Sequence, residues 1–181
     1  MIEVEKQCQP AEDQIKAITG DSEFLGEKID HDIYYDYPDY SLLKEGIQLR
    51  YRNGSFELKI AKSSGVKQEI EIEKEIEKYF KVANLNVFVK ERLIPIVDYE
   101  ARRRKYKQGD FNITLDEMNF GYSMCEIELM VPSESEVKLA EDRIVNFAGK
   151  YGISMKKINS KRKEYFRLVK PEVYKELYPN G

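Results

Sequence analysis

The dipeptide Asn53-Gly54 lies between two runs of alternating polar and apolar residues, and it is the feature that most restricts the fold. Asn-Gly favours a two-residue hairpin turn because both turn positions need a positive φ. The flanking runs therefore predict two antiparallel strands within residues 46–61. The turn also fixes their register, which from the turn outwards pairs Arg52 with Ser55, Tyr51 with Phe56, Arg50 with Glu57, Leu49 with Leu58, and Gln48 with Lys59.

The predicted hairpin has one apolar and one charged face, because directly opposed residues point to the same side of a sheet. The apolar face contains Leu49, Tyr51, Phe56, Leu58 and Ile60. The charged face contains Gln48, Arg50, Arg52, Glu57 and Lys59. Taken alone, such a face is most often the solvated side of a half-buried hairpin.

Pairs of like charges recur at strand spacing elsewhere in the chain. They are Glu3 with Glu5, Glu126 with Glu128, and, in the basic run, Arg102 with Arg104 or Arg103 with Lys105. Acidic pairs and basic pairs lie on separate strands, unlike the loose mixture of an ordinary exposed sheet. If the sheet curls into a barrel with this face inward, alternation places all of these charges in the lumen.

A lumen lined with charge is favourable only if the charges are paired or hold a ligand. Arginine and lysine bind phosphate through charge-assisted hydrogen bonds. Carboxylates bind Mg²⁺ or Mn²⁺, which bridge to phosphate oxygens. The pattern therefore predicts a site for a polyphosphate and a divalent metal, with exposed surface charge as the open alternative.

Length and composition limit the number of domains and exclude several classes of partner and site. A chain of 181 residues predicts one domain over residues 1–181. The formal charge of −3 and the lack of a long apolar run argue against nucleic-acid and membrane partners. A single histidine, His31, excludes a histidine-rich metal site. Cys8 and Cys125 fit no zinc spacing and predict free thiols in the cytoplasm, although a bond between them stays open.

The pattern along the chain predicts many short strands and few helices. Strands are predicted at residues 2–8, 32–37, within 46–61, from Val66, and at 86–93, 95–108, 110–118 and 123–131. Helices are predicted at residues 11–19, 73–82 and 134–149, and in the C-terminal segment 160–178, which Pro171 divides.

Several segments, in order, resemble the CYTH or triphosphate tunnel family, and most closely its thiamine-triphosphatase branch. The family's Glu-x-Glu-x-Lys opening resembles "EVEKQ" at 3–7, and its Tyr-Tyr-Asp-Thr-Pro segment resembles "YYDYPDYSLL" at 34–43. Its Leu-Arg-x-Arg and Glu-Leu-Lys strands resemble residues 49–52 and 57–60. Residues 115–129 and 161–178 resemble stretches of the thiamine-triphosphatase branch.

The resemblance implies an α+β fold: an eight-stranded antiparallel β-tunnel, closed or nearly closed as a barrel, with flanking helices. It implies Mg²⁺, with Mn²⁺ as an alternative, held by Glu3, Glu5, Asp116, Glu126 and Glu128. It implies phosphate contacts from Arg50, Arg52, Lys59, Arg103 and Lys161, where Arg103 is chosen because it lies three residues before Tyr106. Tyr34 and the residue at Gln7 are the implied catalytic positions.

Two departures from the family pattern bear on activity. Gln7 replaces the lysine of Glu-x-Glu-x-Lys, and the neighbouring Lys6 points to the other face of the strand. Gln48 replaces an aromatic residue that the family associates with thiamine. Cys125 stands where glycine is common, and alternation predicts that it packs on the face opposite to Glu126.

The resemblance predicts a monomeric, metal-dependent hydrolase that removes the terminal phosphate of a small-molecule triphosphate, with thiamine triphosphate as the implied substrate. An inorganic tripolyphosphate or nucleoside triphosphate phosphatase is an alternative because of Gln48. A non-catalytic triphosphate-binding module is another, because of Gln7. Nucleotide cyclisation, which the wider family also performs, fits residues 115–129 and 161–178 less well.

Overall fold

A computed structural model describes residues 1–61 and 67–179 of the chain. The strands in these ranges are β1 (Ile2–Cys8), β2 (Glu23–Asp36), β3 (Ile47–Arg52), β4 (Ser55–Ala61), β5 (Lys67–Ile70), β6 (Ile94–Gln108), β7 (Phe111–Met118) and β8 (Tyr122–Val131). The α-helices are α1 (Glu12–Gly20), α2 (Ser41–Lys44), α3 (Glu73–Phe80), α4 (Leu85–Arg92), α5 (Val137–Gly149), α6 (Lys161–Val169) and α7 (Pro171–Leu177), with a 3₁₀ turn at Glu134–Glu136.

The eight strands form one antiparallel sheet with flanking helices, which confirms the predicted α+β class. Hydrogen-bonded neighbours follow the order β1-β8-β7-β6-β2-β3-β4-β5. Within the described ranges, none of the helices is long and apolar enough to cross a membrane. By its internal contacts the chain divides into two compact units: a terminal unit, Met1–Ile29 with Ala101–Gly181, and a central unit, Asp30–Glu100.

The core of the terminal unit lies on one face of β1, β7 and β8. Val4 and Cys8 of β1 are the register partners of Leu129 and Cys125 of β8, and all four are buried. Helix α5 covers this face with its apolar residues, among them Ile144. Because strand residues alternate, the opposite face of β1 and β8 carries the polar side chains Glu3, Glu5, Gln7, Glu126 and Glu128.

The central unit contains the predicted hairpin, and its register is confirmed. Strands β3 and β4 pair Arg52 with Ser55 through Gln48 with Lys59, as the turn predicted. Asn53 and Gly54 have φ values of 48° and 97°, the left-handed conformation that this turn needs. The apolar face of the hairpin packs against α3 and α4 through a buried cluster, which consists of Leu42, Ile47, Leu49, Phe56, Leu58, Ile76, Leu85, Val89 and Leu93.

The prediction of a strand at residues 86–93 is wrong, because this segment forms helix α4. The side chain of Asn84 caps the helix by accepting a hydrogen bond from the backbone N–H of Val87 at 2.9 Å. Strand β2 begins at Glu23, well before the predicted residue 32. Val66, where another strand was predicted to begin, lies outside the described residues.

Candidate functional site

Three carboxylates converge on the polar face of the terminal unit. The register of β1 and β8 pairs Glu5 with Glu128 and Glu3 with Met130. As a result, carboxylate oxygens of Glu3, Glu5 and Glu128 lie within 4.8 Å of one another. Oxygen ligands at this spacing suit a hard divalent cation such as Mg²⁺.

The electrostatic environment of Glu128 reflects this crowding. Burial, followed by the negative charges of Glu3, Glu126 and Glu5, raises the pKa of Glu128 to about 7, and the positive charge of Arg103 opposes the rise. The protonated form of this acid is therefore favoured more than that of an ordinary glutamate. A bound cation would reverse the balance, because it stabilises the ionised form of each surrounding carboxylate.

Beside the three acids, two cations share two carboxylates. Arg103 donates from Nε and Nη2 to the two oxygens of Asp116 at 2.8 and 2.7 Å, and from Nη2 to Glu126 at 3.2 Å. Lys161, at the start of α6, contacts Asp116 and also lies 3.4 Å from Oε1 of Glu126. Each of the two cations therefore contacts both carboxylates.

Asp116 was predicted as a metal ligand, and its oxygens here accept hydrogen bonds from cations. Its side chain is fully buried. Burial raises its pKa, but the hydrogen bond from Arg103 and the charges of Lys161 and Arg103 outweigh burial and lower it from the ordinary value. Asp116 does not belong to the group of converging oxygens formed by Glu3, Glu5 and Glu128. Its contacts fit a residue that positions Arg103 and Lys161.

The basic run 102–104 directs only its middle residue towards these acids. Arg103 is the register partner of Asp116. Arg102 instead contacts Glu27 at 3.0 Å, and Arg104 contacts Glu117. A two-residue turn at Gly109-Asp110 implies the pairing of Arg103 with Asp116. The sequence therefore contained the information that distinguishes Arg103 from Arg102 and Arg104.

Gln7 occupies the same row of side chains as Glu126. The two residues are register partners, and Nε2 of Gln7 donates to Oε1 of Glu126 at 3.2 Å. Lys6 lies on the other face, where its ammonium group is 3.6 Å from Glu141 of α5. Gln7 thus supplies a hydrogen bond without a charge, and Lys6 does not replace that charge.

The central unit has its own network around Asp32, which the sequence analysis did not select. The side chain of Asp32 is fully buried, and each of its oxygens accepts a 2.5 Å hydrogen bond from Arg52. Arg50 lies 3.6 Å from the same carboxylate and also contacts Glu57. Burial raises the pKa of Asp32, but the hydrogen bond from Arg52 and the charges of both arginines lower it overall. Strand parity with Tyr34, two residues later, could have revealed Asp32.

Tyr34 and Lys59 complete the predicted residues of the central unit. Tyr34 is buried, and its hydroxyl accepts a weak hydrogen bond from Nη1 of Arg50 at 3.5 Å. The Tyr34 ring also lies 6.4 Å from the ring of buried Tyr99. Lys59 donates to Oε1 of Glu69 at 2.5 Å. The predicted basic residues Arg50, Arg52 and Lys59 therefore each have an acidic partner in this structure.

Two further lysines lie on the polar face of β6. Lys105 and Lys107 share the side of Arg103, opposite Thr114 and Asn112 of β7. Both are exposed, and neither makes a hydrogen bond or ion pair within residues 1–61 and 67–179. Alternation in the basic run predicts that Lys105 shares the face of Arg103, and neither lysine is among the predicted phosphate contacts.

The family model for the CYTH domain matches residues 1–161. The fold and this site define a class of protein in which a sheet of eight antiparallel strands carries an acid cluster beside paired cations. Because the family model covers most of its length, the chain belongs to the CYTH family. The thiamine-triphosphatase branch is a finer assignment that this match does not distinguish.

Solved structures show the same fold at low sequence identity. A candidate adenylate cyclase from Vibrio parahaemolyticus is 19% identical, with a TM-score of 0.66 over 90% of this chain and 97% of that one. The PH1819 protein of Pyrococcus horikoshii is 21% identical, with a TM-score of 0.65 over 94% and 99%. HpAC1 from Hippeastrum, a candidate adenylyl cyclase described with a dominant triphosphatase activity, is 18% identical, with a TM-score of 0.59 over 91% and 94%.

Proposed function

We propose that the protein is a metal-dependent hydrolase that removes the terminal phosphate of a small-molecule triphosphate. The observation that carries the proposal is the convergence of three carboxylates, Glu3, Glu5 and Glu128, beside the paired cations Arg103 and Lys161. Membership of the CYTH family and the triphosphatase activity described for HpAC1 support the same class of reaction.

The acid cluster fits a divalent metal. Its donors are carboxylate oxygens, the ligands that Mg²⁺ and Mn²⁺ prefer. Burial and then the neighbouring negative charges raise the pKa of Glu128, and a cation would offset both effects. Glu3, Glu5 and Glu128 would hold the metal, and Glu126 would extend the set. When bound, a divalent metal supplies charge neutralisation at the phosphate oxygens.

The basic residues would bind the phosphates and stabilise the charge of the transferred group. In the terminal unit this role falls to Arg103 and Lys161, which Asp116 holds in place. In the central unit Arg50, Arg52 and Lys59 are the proposed phosphate contacts, and Asp32 fixes the two arginines. Phosphoryl transfer depends mainly on positioning and electrostatic stabilisation, so a histidine or cysteine nucleophile is not needed. We keep Tyr34 and Gln7 as the proposed residues that orient the attacking water.

The substrate within this class is open to direct assay. Thiamine triphosphate is the substrate implied by the resemblance, and tripolyphosphate or ATP are the alternatives because of Gln48. Phosphate release from each, measured with Mg²⁺ and with a chelator, would identify the substrate, and cyclic AMP measured in the ATP reaction would test for cyclisation.

Variants of the acid cluster connect the assay to the site. Glu128→Gln should lower phosphate release by about 10²-fold or more, a loss typical of removing one electrostatic contact to the transition state. Glu172→Gln is the matched control because Glu172 is an exposed glutamate of α7 whose partner is Lys175. Equal activity of the two variants, or no phosphate release from any of the three substrates, would contradict the proposed hydrolase.

A binding module without turnover is the second candidate, and the observation that favours it is Gln7. This residue contacts Glu126 by a hydrogen bond and brings no positive charge into the row. If the protein is such a module, calorimetry with tripolyphosphate and Mg²⁺ should show binding in the absence of hydrolysis. Gln7→Lys should then produce activity, whereas an active protein that Gln7→Lys leaves unchanged would argue that position 7 does not limit turnover.

A further inference from the structure

The two cysteines of the chain lie directly opposite each other on the core face of the terminal unit. Cys8 is the last residue of β1, and Cys125 on β8 is its register partner. Both are free thiols, and both are fully buried. Because they are directly opposed residues of an antiparallel pair, their side chains point to the same face of the sheet. The two sulfurs are therefore neighbours in the folded protein.

The spacing of such a pair is compatible with a covalent bond. Opposed residues of an antiparallel pair have Cα atoms about 4.5 or 5.5 Å apart, depending on the type of pair. Disulfides are found with Cα separations of about 4.4–6.8 Å. Bond formation would therefore need only a small adjustment of the two side chains and of the end of β1.

A cavity of about 420 Å³ reaches this end of β1 and β8. Its lining includes Gln9, the residue after Cys8, and Met124, the residue before Cys125. It also includes Leu115 of β7, the register partner of Cys125. Neither cysteine lines the cavity itself, so a small oxidant that entered it would be separated from the thiols by these neighbouring residues.

We propose that Cys8 and Cys125 form a redox modification site at which a hydroperoxide converts the two thiols into one intrachain disulfide. With hydrogen peroxide, one sulfur attacks an oxygen, the O–O bond breaks, and a sulfenic acid and one water are produced. The second sulfur then attacks the first, the S–O bond breaks, and a second water leaves with the thiol proton. The two thiols lose two electrons and two protons in total, and the peroxide is reduced to two waters.

The neighbouring thiol of Cys125 lowers the pKa of Cys8 from its ordinary value, which favours Cys8 as the first sulfur to attack. The disulfide would join the ends of β1 and β8 one row away from the Gln7–Glu126 hydrogen bond. A dithiol reductant should reverse it by thiol–disulfide exchange.

The test treats the folded, reduced protein with hydrogen peroxide and then counts thiols after denaturation. We expect both thiols to disappear together, the mass to fall by two hydrogen atoms, and peptide mapping to link Cys8 to Cys125 within one chain. Dithiothreitol should restore both thiols. Cys8→Ala and Cys125→Ala are the controls, and neither should show the mass loss.

Three results would overturn the proposal. The first is stepwise gain of oxygen on one cysteine while the other stays a thiol. The second is a disulfide between two chains. The third is reaction of wild-type protein only at urea concentrations that unfold it, which would show that the pair cannot be oxidised in the native fold. None of these measurements depends on triphosphate hydrolysis.

Discussion

Replacing Glu128 by Gln should stabilise the metal-free protein at pH 8 while it weakens metal binding. In the folded protein, burial and the charges of Glu3, Glu126 and Glu5 raise the pKa of Glu128 to about 7, from an ordinary value of 4.5. Folding thus favours the protonated acid. The stabilisation that protonation gives is fully present below pH 4.5 and is lost as the pH rises through 7. Glutamine has a similar volume and cannot ionise, so it avoids this loss.

The size of the effect follows from the two pKa values. At about 1.4 kcal/mol per pH unit, the interval between 4.5 and 7 corresponds to about 3 kcal/mol. Glu128 is partly exposed, and solvent screening reduces the expected gain to about 1–2 kcal/mol. For a chain of this length, that gain corresponds to an increase in Tm of about 2–8 °C at pH 8.

Urea and thermal unfolding in a chelating buffer at pH 5 and pH 8 would measure this gain. Glu128→Gln should exceed wild type at pH 8 and differ little at pH 5, and the exposed control Glu172→Gln should change neither. Added Mg²⁺ should raise the Tm of wild type more than that of Glu128→Gln. A Glu128→Gln protein no more stable than wild type at pH 8, or one whose gain is equal at both pH values, would show that ionisation of Glu128 does not destabilise the fold.

Two other changes test charged residues elsewhere in the two units. Asp32→Asn should lower the free energy of unfolding at pH 7 by about 3–5 kcal/mol, because it leaves Arg50, which is buried, and Arg52, which is partly buried, without their shared carboxylate. Asp98→Asn, at an exposed aspartate, should have little effect in the same urea titration. Since the pKa of Asp32 is lowered, its contribution is present above pH 3.8 and should disappear as the pH falls further. The double variant Lys105→Ala, Lys107→Ala should weaken tripolyphosphate binding by about 2- to 30-fold in calorimetry with Mg²⁺, and Lys138→Ala, at an exposed lysine of α5, should not. Equal affinities of these two proteins would show that the lysines of β6 do not contact the anion.

The hairpin register could be predicted from the sequence because a two-residue Asn53-Gly54 turn allows only one pairing. The same logic at Gly109-Asp110 places Arg103 opposite Asp116, so the orientation of the basic run was also contained in the sequence. Alternation then assigns each side chain to a face. Local rules of this kind determine which side chains share a surface.

Other features depend on tertiary contacts that local patterns do not determine. The segment 86–93 is short, and its apolar residues at 87–89 and 93 fit one side of a helix as well as a strand. The cap from Asn84 and the packing of α4 against the hairpin stabilise the helical conformation. Asp32 was missed for a different reason: its parity with Tyr34 places it on the same face, but its cation partner becomes apparent only when β3 places Arg52 opposite it.

The ion pairs explain why the proposed triphosphate chemistry depends on a metal. In each unit a buried aspartate holds two cations: Asp116 holds Arg103 and Lys161, and Asp32 holds Arg52 and Arg50. Each group also includes a glutamate: Glu126 contacts Arg103, and Glu57 contacts Arg50. In each group, two positive charges are therefore balanced by two negative charges. The cations are thus well positioned, but they carry little net charge with which to attract an anion. Three further carboxylates beside the first group would repel a triphosphate. A divalent cation among those carboxylates would reverse the local sign, and in the proposed mechanism it is the component that would make phosphate binding favourable.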